Sequence, residues 1–298
     1  MTTSGSSEHA AFRRALRRAS PSLARDLPWI GHVDPWAILV SEFMLQQTQV
    51  ARVREPWHRF LVRFPTAGSC ADAALADVVR LWEGLGYHRR ARSLHASAQV
   101  IRDRFRGEVP REPDLLRQLP GVGEYTAHAV ASFAYGRRVA VLDTNVGRVL
   151  ARAVANRPLA RREAASIAQD LLPVRESAAF NQAMIDLGAQ FCRARPQCRT
   201  CPVARACRWN AEGGADPAPE SAAVSRPQAP FAGSTRQLRG RVIAELRSGP
   251  RSKAALLERL AGESTASESV LDQLVRDGLV EGRGRLVQLA GERAQRGR

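Results

Sequence analysis

Two short segments contain residue types that could do chemistry. Residues 119–123 form a glycine-rich LPGVG turn ahead of a helical stretch that begins near Tyr125. Backbone N–H groups at the start of a helix can bind a phosphate, and glycine lets a ligand approach the backbone closely. Farther along, Asp143 follows the apolar run 139–142, the setting of a buried acid. Together the segments indicate a DNA-contacting turn and a buried carboxylate, although a Pro-Gly turn is also a plain connector between helices.

A cluster of four cysteines indicates a bound metal centre. Cys192, Cys198, Cys201 and Cys207 are separated by five, two and five residues. Thiolates at such spacing can hold a [4Fe-4S] cluster or a tetrahedral zinc ion, and the spacing alone does not separate the two. Disulfides are the remaining alternative. Residues 1–20 lack the apolar core of a secretion signal, however, which favours a reducing compartment and free thiols.

The basic residues limit the reaction mechanisms that are open to the chain. Of its 45 basic side chains, one is a lysine, Lys253, and the other 44 are arginines. Arginine stays protonated and does not form a Schiff base. Chemistry that needs an amine nucleophile is therefore nearly excluded ahead of Lys253.

The overall charge points to a polyanionic partner. The 298 residues carry a formal net charge of +16, and the isoelectric point is near 11.2. A protein this basic is attracted to nucleic acid by counterion release, with an acidic membrane surface as the alternative partner. No run approaches the length of a transmembrane helix. We expect a cytoplasmic, nucleoid-associated monomer that binds double-stranded DNA.

The spacing of apolar residues predicts an all-α chain with a small C-terminal module. Helical periodicity runs from about residue 35 to 210, and the Gly- and Pro-rich stretch 211–230 is typical of a linker. Beyond it, three short helices and a hairpin predict a winged-helix-like module over 231–298. The basic segment 1–26 is expected to be a solvated helix that touches DNA.

Six ordered motifs make the chain similar to a known family over roughly residues 27–210. They are DPW at 34–36, SEFMLQQTQV at 41–50, GLGY at 84–87 with RAR at 90–92, the LPGVG turn, LDTNVGRV at 142–149 and FNQAM at 180–184. In these motifs the chain resembles the adenine-specific mismatch DNA glycosylases of the helix-hairpin-helix superfamily, which carry an iron–sulfur cluster. The resemblance implies a two-lobed helical core, an active site in the cleft between lobes, a [4Fe-4S] loop at 192–207 and removal of adenine mispaired with 8-oxoguanine or guanine.

The resemblance also assigns roles to individual residues. Glu42, in an apolar setting that suits a general acid, would protonate the adenine, and Asp143 would stabilise the cation that develops on the sugar. Tyr125 stands where related endonuclease III enzymes have a Schiff-base lysine, so the enzyme would be monofunctional, with Asn145 helping to position groups around the sugar. The alternatives are a solvated helix position for Glu42, a simple N-cap for Asp143 and core packing for Tyr125.

A further set of residues is expected to contact DNA. The set includes side chains that fill the gap left by a flipped-out base, basic side chains that contact phosphate, and the hairpin backbone. Its members are Gln46, Gln47, Thr48, Tyr87, Arg90, Arg92, Leu119, Gly121, Val122 and Gly123. For Tyr87 an ordinary amphipathic aromatic is the alternative, and for the arginines an exposed basic face.

Two departures from the family pattern leave other readings open. The first cysteine gap is five residues where the family usually has six, and about seventy C-terminal residues replace the Nudix-like domain that many members carry. One alternative is a related glycosylase that acts on mismatched thymine or an oxidised pyrimidine. Another is a noncatalytic iron–sulfur protein that binds DNA or senses redox state.

Overall fold

The computed structural model describes residues 4–224, 230–260 and 264–292, without the side chains of 4–8 and 264–266. The chain is mostly helical, which confirms the predicted fold class. Two compact units form. One comprises residues 1–33 and 124–227 and is called the cysteine unit; the other comprises 34–123 and 228–298 and is called the turn unit. Among the described helices, none is both long enough and apolar enough to cross a membrane.

Twelve helices precede the C-terminal module within the described residues. They are α1 (Ser4–Leu23), α2 (Pro35–Leu45), α3 (Arg54–Arg63), α4 (Ala67–Ala71), α5 (Leu75–Leu81), α6 (Arg89–Arg104), α7 (Pro113–Leu116), α8 (Glu124–Tyr135), α9 (Thr144–Val149), α10 (Arg161–Leu171), α11 (Ser177–Gln190) and α12 (Arg208–Glu212). A π-helical turn, Leu150–Ala155, continues α9.

Helix α2 begins where its sequence provides both a cap and a favourable first residue. Asp34 accepts a hydrogen bond from the backbone N–H of Trp36, and Pro35 occupies the first helical position, where its missing N–H costs nothing. Residues 36–44 of this helix are all buried. Glu42 is therefore withdrawn from solvent together with its apolar neighbours on α2.

The N-terminal helix belongs to the core of the cysteine unit, contrary to the solvated helix expected from sequence. Phe12, Leu16 and Leu23 of α1 are at most 1% exposed and lie in one apolar cluster with residues of α9 and α11. This apolar stripe was missed because α1 also carries several arginines. Residues 1–3 of the predicted segment lie outside the described part of the chain.

The predicted linker is also wrong over part of its length. Residues 211–212 end α12, and Pro217, Ala218, Ser221 and Ala223 are buried within the cysteine unit. Ala223 packs so closely on α9 that a Cβ added to Gly147 would lie 2.9 Å from its own Cβ. Apolar packing therefore fixes a stretch whose Gly and Pro content is typical of linkers, and residues 225–229 lie outside the description.

The C-terminal module combines three helices with a small antiparallel sheet. Its elements are α13 (Thr235–Arg247), β1 (Arg251–Ser252), α14 (Lys253–Arg259), α15 (Ser264–Arg276), β2 (Val280–Arg283) and β3 (Leu286–Leu289). The sheet order is β1-β3-β2, with Val280 opposite Leu289 and Arg283 opposite Leu286. The short strand β1 was not predicted. The predicted stretch 261–263, and the last residues from 293 onward, lie outside the description.

Candidate active site

Glu42 is the buried acid of the turn unit. Its residue is 5% exposed, on a helix whose neighbouring positions are all buried. The solvated helix position that sequence left open for Glu42 is therefore wrong. A carboxyl group removed from water in this way is suited to hold a proton for transfer to a substrate.

Arg90 ties the end of α2 to the turn at residues 84–87. Its guanidinium donates to the carbonyls of Phe43 and Met44 at 2.9 Å, to Leu85 at 3.0 Å, and to Gly86 at 3.1 Å. The residue is 8% exposed, and burial lowers the pKa of Arg90 to about 10. The prediction of a phosphate contact is therefore wrong for Arg90, because backbone acceptors already occupy the buried group.

The segments that Arg90 holds include two residues with unusual backbone. Gln47 has φ of 55° and Tyr87 has φ of 47°, the left-handed region that residues with a side chain seldom adopt. Arg90 also donates to the Gln46 carbonyl and, at 2.9 Å, to the hydroxyl of Thr48. Strained backbone held by surrounding bonds is frequent at functional sites. Gln46, Gln47 and Tyr87, which were predicted to fill a gap in DNA, thus lie on two segments that one arginine fixes.

The LPGVG turn packs tightly on the rest of the turn unit. Gly121 has φ of 80°, and a Cβ added there would lie 2.6 Å from Cβ of Ser93 and 3.1 Å from the Phe43 ring. The hydroxyl of Ser97 donates to the carbonyl of Pro120 at 2.7 Å. Gly123 has no neighbouring atom within 4 Å of an added Cβ and is exposed.

Of three other residues predicted to contact DNA, two are buried and one is exposed. The side chains of Leu119 and Val122 are buried, and the Val122 N–H donates to the Leu119 carbonyl at 3.1 Å. These two residues therefore shape the turn from inside. Arg92 is exposed and lies against the C-terminal module, with Nε 3.0 Å from the place of a Cβ added to Gly278.

Asp143 is the corresponding acid of the cysteine unit. It caps α9, and its carboxylate accepts from the backbone N–H of Val146 at 2.7 Å and from the side-chain amide of Asn145 at 2.6 Å. Burial raises the pKa of Asp143 above its ordinary value, while these two hydrogen bonds and the charge of Arg148 oppose the rise. The N-cap that sequence offered as an alternative is present, and the capping carboxylate is partly buried and held by hydrogen bonds.

A chain of side-chain hydrogen bonds leads from Asp143 toward the cysteines. Asn145 accepts from Arg148 at 2.6 Å, and Arg148 donates to the carbonyls of Cys192 at 2.7 Å and Gly188 at 3.1 Å. Helix α11 can approach α9 this closely because Gly188 has no side chain. A Cβ added there would lie only 2.5 Å from the Asn145 carbonyl oxygen. The orientation of Asp143 is thereby linked to the start of the cysteine loop.

Tyr125 lies in the first turn of α8, where the helix leaves the LPGVG turn. Its side chain is partly buried and packs against the apolar core of the cysteine unit. Core packing, the alternative weighed for this residue, is thus part of its environment. A phenol at this position cannot form an imine with a sugar.

The four clustered cysteines are free thiols that line one cavity. Burial raises the pKa of Cys201 to about 11 and raises the pKa of Cys192 and Cys207, so a metal that binds these three thiols must displace their protons. Arg152 approaches Sγ of Cys192 at 3.5 Å. Within the described ranges, no three His, Cys, Asp or Glu side chains stand close enough to hold a metal ion.

Three arginines with structural roles escaped the sequence analysis. Arg148 orients Asn145, Arg236 contacts Tyr87, and Arg152, 1% exposed, forms an ion pair with Asp216 at 2.6 Å. In a chain with 44 arginines, a buried guanidinium has no distinctive sequence signal. Their one sequence signal is position. Arg148 lies in the motif that forms α9, and Arg152 lies in the apolar stretch that follows it.

Comparisons with known proteins agree with this arrangement. Residues 40–173 match the model of the HhH-GPD superfamily of base excision DNA repair proteins. An adenine DNA glycosylase of Mycolicibacterium smegmatis is 44% identical over 264 residues, which span 86% of this chain and 88% of the relative. The adenine DNA glycosylase of Homo sapiens is 40% identical over 67% of this chain, but only 40% of its own length is covered.

Solved structures give the same fold. A thermostable thymine-DNA glycosylase superimposes with a TM-score of 0.64 at 26% identity, covering 70% of this chain and 98% of that one. A trapped covalent intermediate of endonuclease III with DNA superimposes with a TM-score of 0.59 at 26% identity, covering 71% and 99%.

Proposed function

The chain belongs to the adenine DNA glycosylase family of the HhH-GPD superfamily, and from this membership we propose that it hydrolyses the N-glycosidic bond of adenine in duplex DNA. The proposed substrate is adenine mispaired with 8-oxoguanine or guanine, and the product is an abasic site. The observation that carries the proposal is the partly buried Asp143 carboxylate, oriented by Val146 and Asn145, in a chain 44% identical to an adenine DNA glycosylase.

The two acids would have different parts in the reaction. Adenine leaves only when its ring is protonated, and the buried Glu42 is suited to supply that proton. As the bond to the base breaks, positive charge develops on the sugar. An ionised carboxylate stabilises such a cation or bonds to it transiently, as the second carboxylate does in retaining glycosidases. We assign this part to Asp143, with Asn145 holding the carboxylate in place.

We propose that the enzyme removes the base without cutting the strand. Strand cleavage by a lyase needs an amine that forms a Schiff base, and the chain has no lysine ahead of Lys253. Lys253 itself begins α14 in the C-terminal module and lies 3.4 Å from the carboxylate of Glu268. Tyr125 offers a phenol, which supports positioning of the sugar and not covalent chemistry.

The proposed grip on DNA combines a backbone turn with two fixed segments. The LPGVG turn, with Gly121 packed tightly and Gly123 exposed, would present its backbone to a phosphate. Gln46, Gln47, Thr48 and Tyr87 would fill the space left when the adenine is flipped out. The tight packing around Gly121 and the bonds of Arg90 support a binding surface that is formed before DNA arrives.

We propose a [4Fe-4S] cluster as the cofactor, held by Cys192, Cys198, Cys201 and Cys207. The donor chemistry supports this assignment because four free thiols line one cavity next to the guanidinium of Arg152, although in the described residues they are not gathered closely enough to form a metal site. When bound, the cluster would supply a metal centre that fixes the loop at 192–207. The expected result is iron and acid-labile sulfide near four per chain with broad blue-end absorbance, whereas stoichiometric zinc without iron would overturn the assignment.

The proposed reaction can be tested with four duplexes under single-turnover conditions. They carry adenine opposite 8-oxoguanine, adenine opposite guanine, thymine opposite guanine, or an oxidised pyrimidine, each analysed with and without hot alkali. We expect strand breaks at adenine only, and only after alkali. Breaks at thymine or at the pyrimidine, or breaks without alkali, would contradict the proposal.

A further inference from the structure

The C-terminal module contacts one short segment of the turn unit through charged side chains. The contacts join residues 80–92 to helices α13 and α15 and to the end of the module. They are Arg80 with Glu292, Arg89 with Asp277, Glu83 with Arg247 at 2.6 Å, and Tyr87 with Arg236 at 2.8 Å. All four fall on the segment that contains the left-handed turn. The module is thus fixed where the DNA-filling residues lie.

Tyr87 is enclosed by guanidinium groups from both sides of this contact. Arg236 of α13 donates from Nη1 to the Tyr87 hydroxyl, and its guanidinium carbon lies 5.8 Å from the ring centroid. The guanidinium carbon of Arg90 lies 5.5 Å from the same centroid. Cation–π contacts at these distances are attractive. Arg90 fixes the backbone around Tyr87, and Arg236 fixes the far end of its side chain.

Ion pairs of α15 support this structural role. On its exposed face, Glu268 lies 3.4 Å from Lys253, and Asp272 adds a further acid. At the end of α15, Asp277 pairs with both Arg89 and Arg239, and the bond from Arg89 holds the pKa of that carboxyl below its usual range. An aspartate between two arginines joins module and segment instead of approaching a polyanion.

We propose that Arg236 is a positioning residue for base removal: it holds the Tyr87 side chain, through its hydroxyl, in the orientation that opens the duplex. The inference rests on the proposed function, in which Tyr87 fills the space left by the flipped adenine. It gives the C-terminal module a part in the reaction, although the module supplies no group to the reacting atoms. A backbone φ of 47° limits the side-chain orientations open to Tyr87, and the hydrogen bond from Arg236 favours one of them.

A double-mutant cycle tests this inference. Arg236→Gln removes the charged donor, Tyr87→Phe removes only the acceptor, and the double variant removes both. Arg241→Gln is the matched control, since Arg241 lies on the same helix and is exposed. Two quantities are measured with full-length protein: the single-turnover rate of adenine removal, and the fluorescence of 2-aminopurine placed beside the target adenine, which rises when the base unstacks.

The expected result is a loss of about tenfold in rate for each single variant, the size of one charge-assisted hydrogen bond. The double variant should lose no more than either single variant, because both remove the same contact. The 2-aminopurine signal should fall in parallel, with Arg241→Gln matching the wild type. Additive losses, or a silent Tyr87→Phe, would overturn the inference. If Arg236→Gln fails to fold, Tyr87→Phe alone decides, because it keeps the ring.

The two readouts separate this inference from the proposed function. The 2-aminopurine signal reports opening of the duplex and needs no base removal. If the wild type raised the 2-aminopurine signal but removed no adenine, and Arg236→Gln lost that signal, the proposed function would be refuted and the positioning role would stand. Normal adenine removal with no dependence on Arg236 would do the reverse.

Discussion

The two units bury their key ionisable groups in opposite ways. In the cysteine unit, Asp143 receives one backbone and one side-chain donor, and the next bonds in the series join side chains, from Asn145 to Arg148. In the turn unit, Arg90 donates chiefly to backbone carbonyls, among them those of Phe43 and Leu85. One centre is an acid held partly by replaceable side chains, and the other is a cation whose donors hold the backbone.

This difference predicts whether a single substitution can remove activity without lowering stability. Side-chain partners can be replaced one at a time, so the Asp143 centre should lose chemistry while the fold persists. Carbonyl partners cannot be replaced, so the Arg90 centre should lose stability together with any function that depends on it. Buried polar groups without partners are costly in both cases, but only the second centre leaves several of them at once.

The largest expected effect is on the chemistry of the cysteine unit. Asp143→Asn should lower the single-turnover rate of adenine removal by at least about 1,000-fold, because a neutral amide cannot stabilise a sugar cation. DNA affinity should change little, since many arginines share the binding. Gel-shift titration and quenched-flow kinetics measure the two quantities, with Asp170→Asn, an exposed acid of α10, as the control. Equal losses of binding and rate would remove the contrast between the units.

The second effect is on the stability of the turn unit. Arg90→Gln should lower the free energy of unfolding by about 4 kcal/mol, because several buried carbonyls lose their donor. Arg104→Gln, at the exposed end of the same helix, should cost at most about 0.5 kcal/mol. Urea denaturation followed by tryptophan fluorescence measures both. If the two variants were equally stable, Arg90 would not be the centre of this unit.

A smaller effect is expected at the LPGVG turn. Gly121→Ala places a Cβ 2.6 Å from Ser93 at φ of 80° and should cost about 2 kcal/mol of unfolding free energy. The matched control is Gly123→Ala, where the added Cβ meets no atom within 4 Å. The same denaturation measurement applies. A Gly121→Ala protein as stable as the control would mean that the turn can shift away from α6.

The smallest effect concerns the pH dependence of the reaction. Asp143 must be ionised to act, so the rate should fall as pH falls through its pKa, which burial raises above the ordinary value. The Asn145 amide opposes that rise. Asn145→Ala should therefore move the acid limb of the rate profile to higher pH, measured as single-turnover rates across a pH series. An unmoved limb would assign the titration to another group.

Local sequence predicted the elements that depend on local interactions. Asp143 after an apolar run was expected as a possible N-cap, and it caps α9. Three short helices and a hairpin were expected after the linker, and α13, α14, α15 and the β2–β3 pair are found there. Each of these features rests on residues within a turn of one another. The family comparison then confirmed the function class that the motifs implied.

The features that sequence missed depend on partners far along the chain. Arg152 pairs with Asp216 across 64 positions, which draws part of the predicted linker into the cysteine unit. Arg90 was interpreted as a surface cation because its carbonyl acceptors lie more than forty residues away, on α2, as well as in the adjacent turn. Arg236 reaches Tyr87 across 149 positions. No periodicity or motif encodes such pairings.

The scarcity of lysine gives this protein an experimental property of its own. Lys253 is the one side-chain amine in the sequence, and half of its side chain is exposed where α14 begins. An amine-reactive dye applied above neutral pH, with the α-amino group blocked, would therefore attach at a single place. That place lies on the C-terminal module. A fluorophore installed there without any mutation would report by anisotropy on the module as DNA is bound and released.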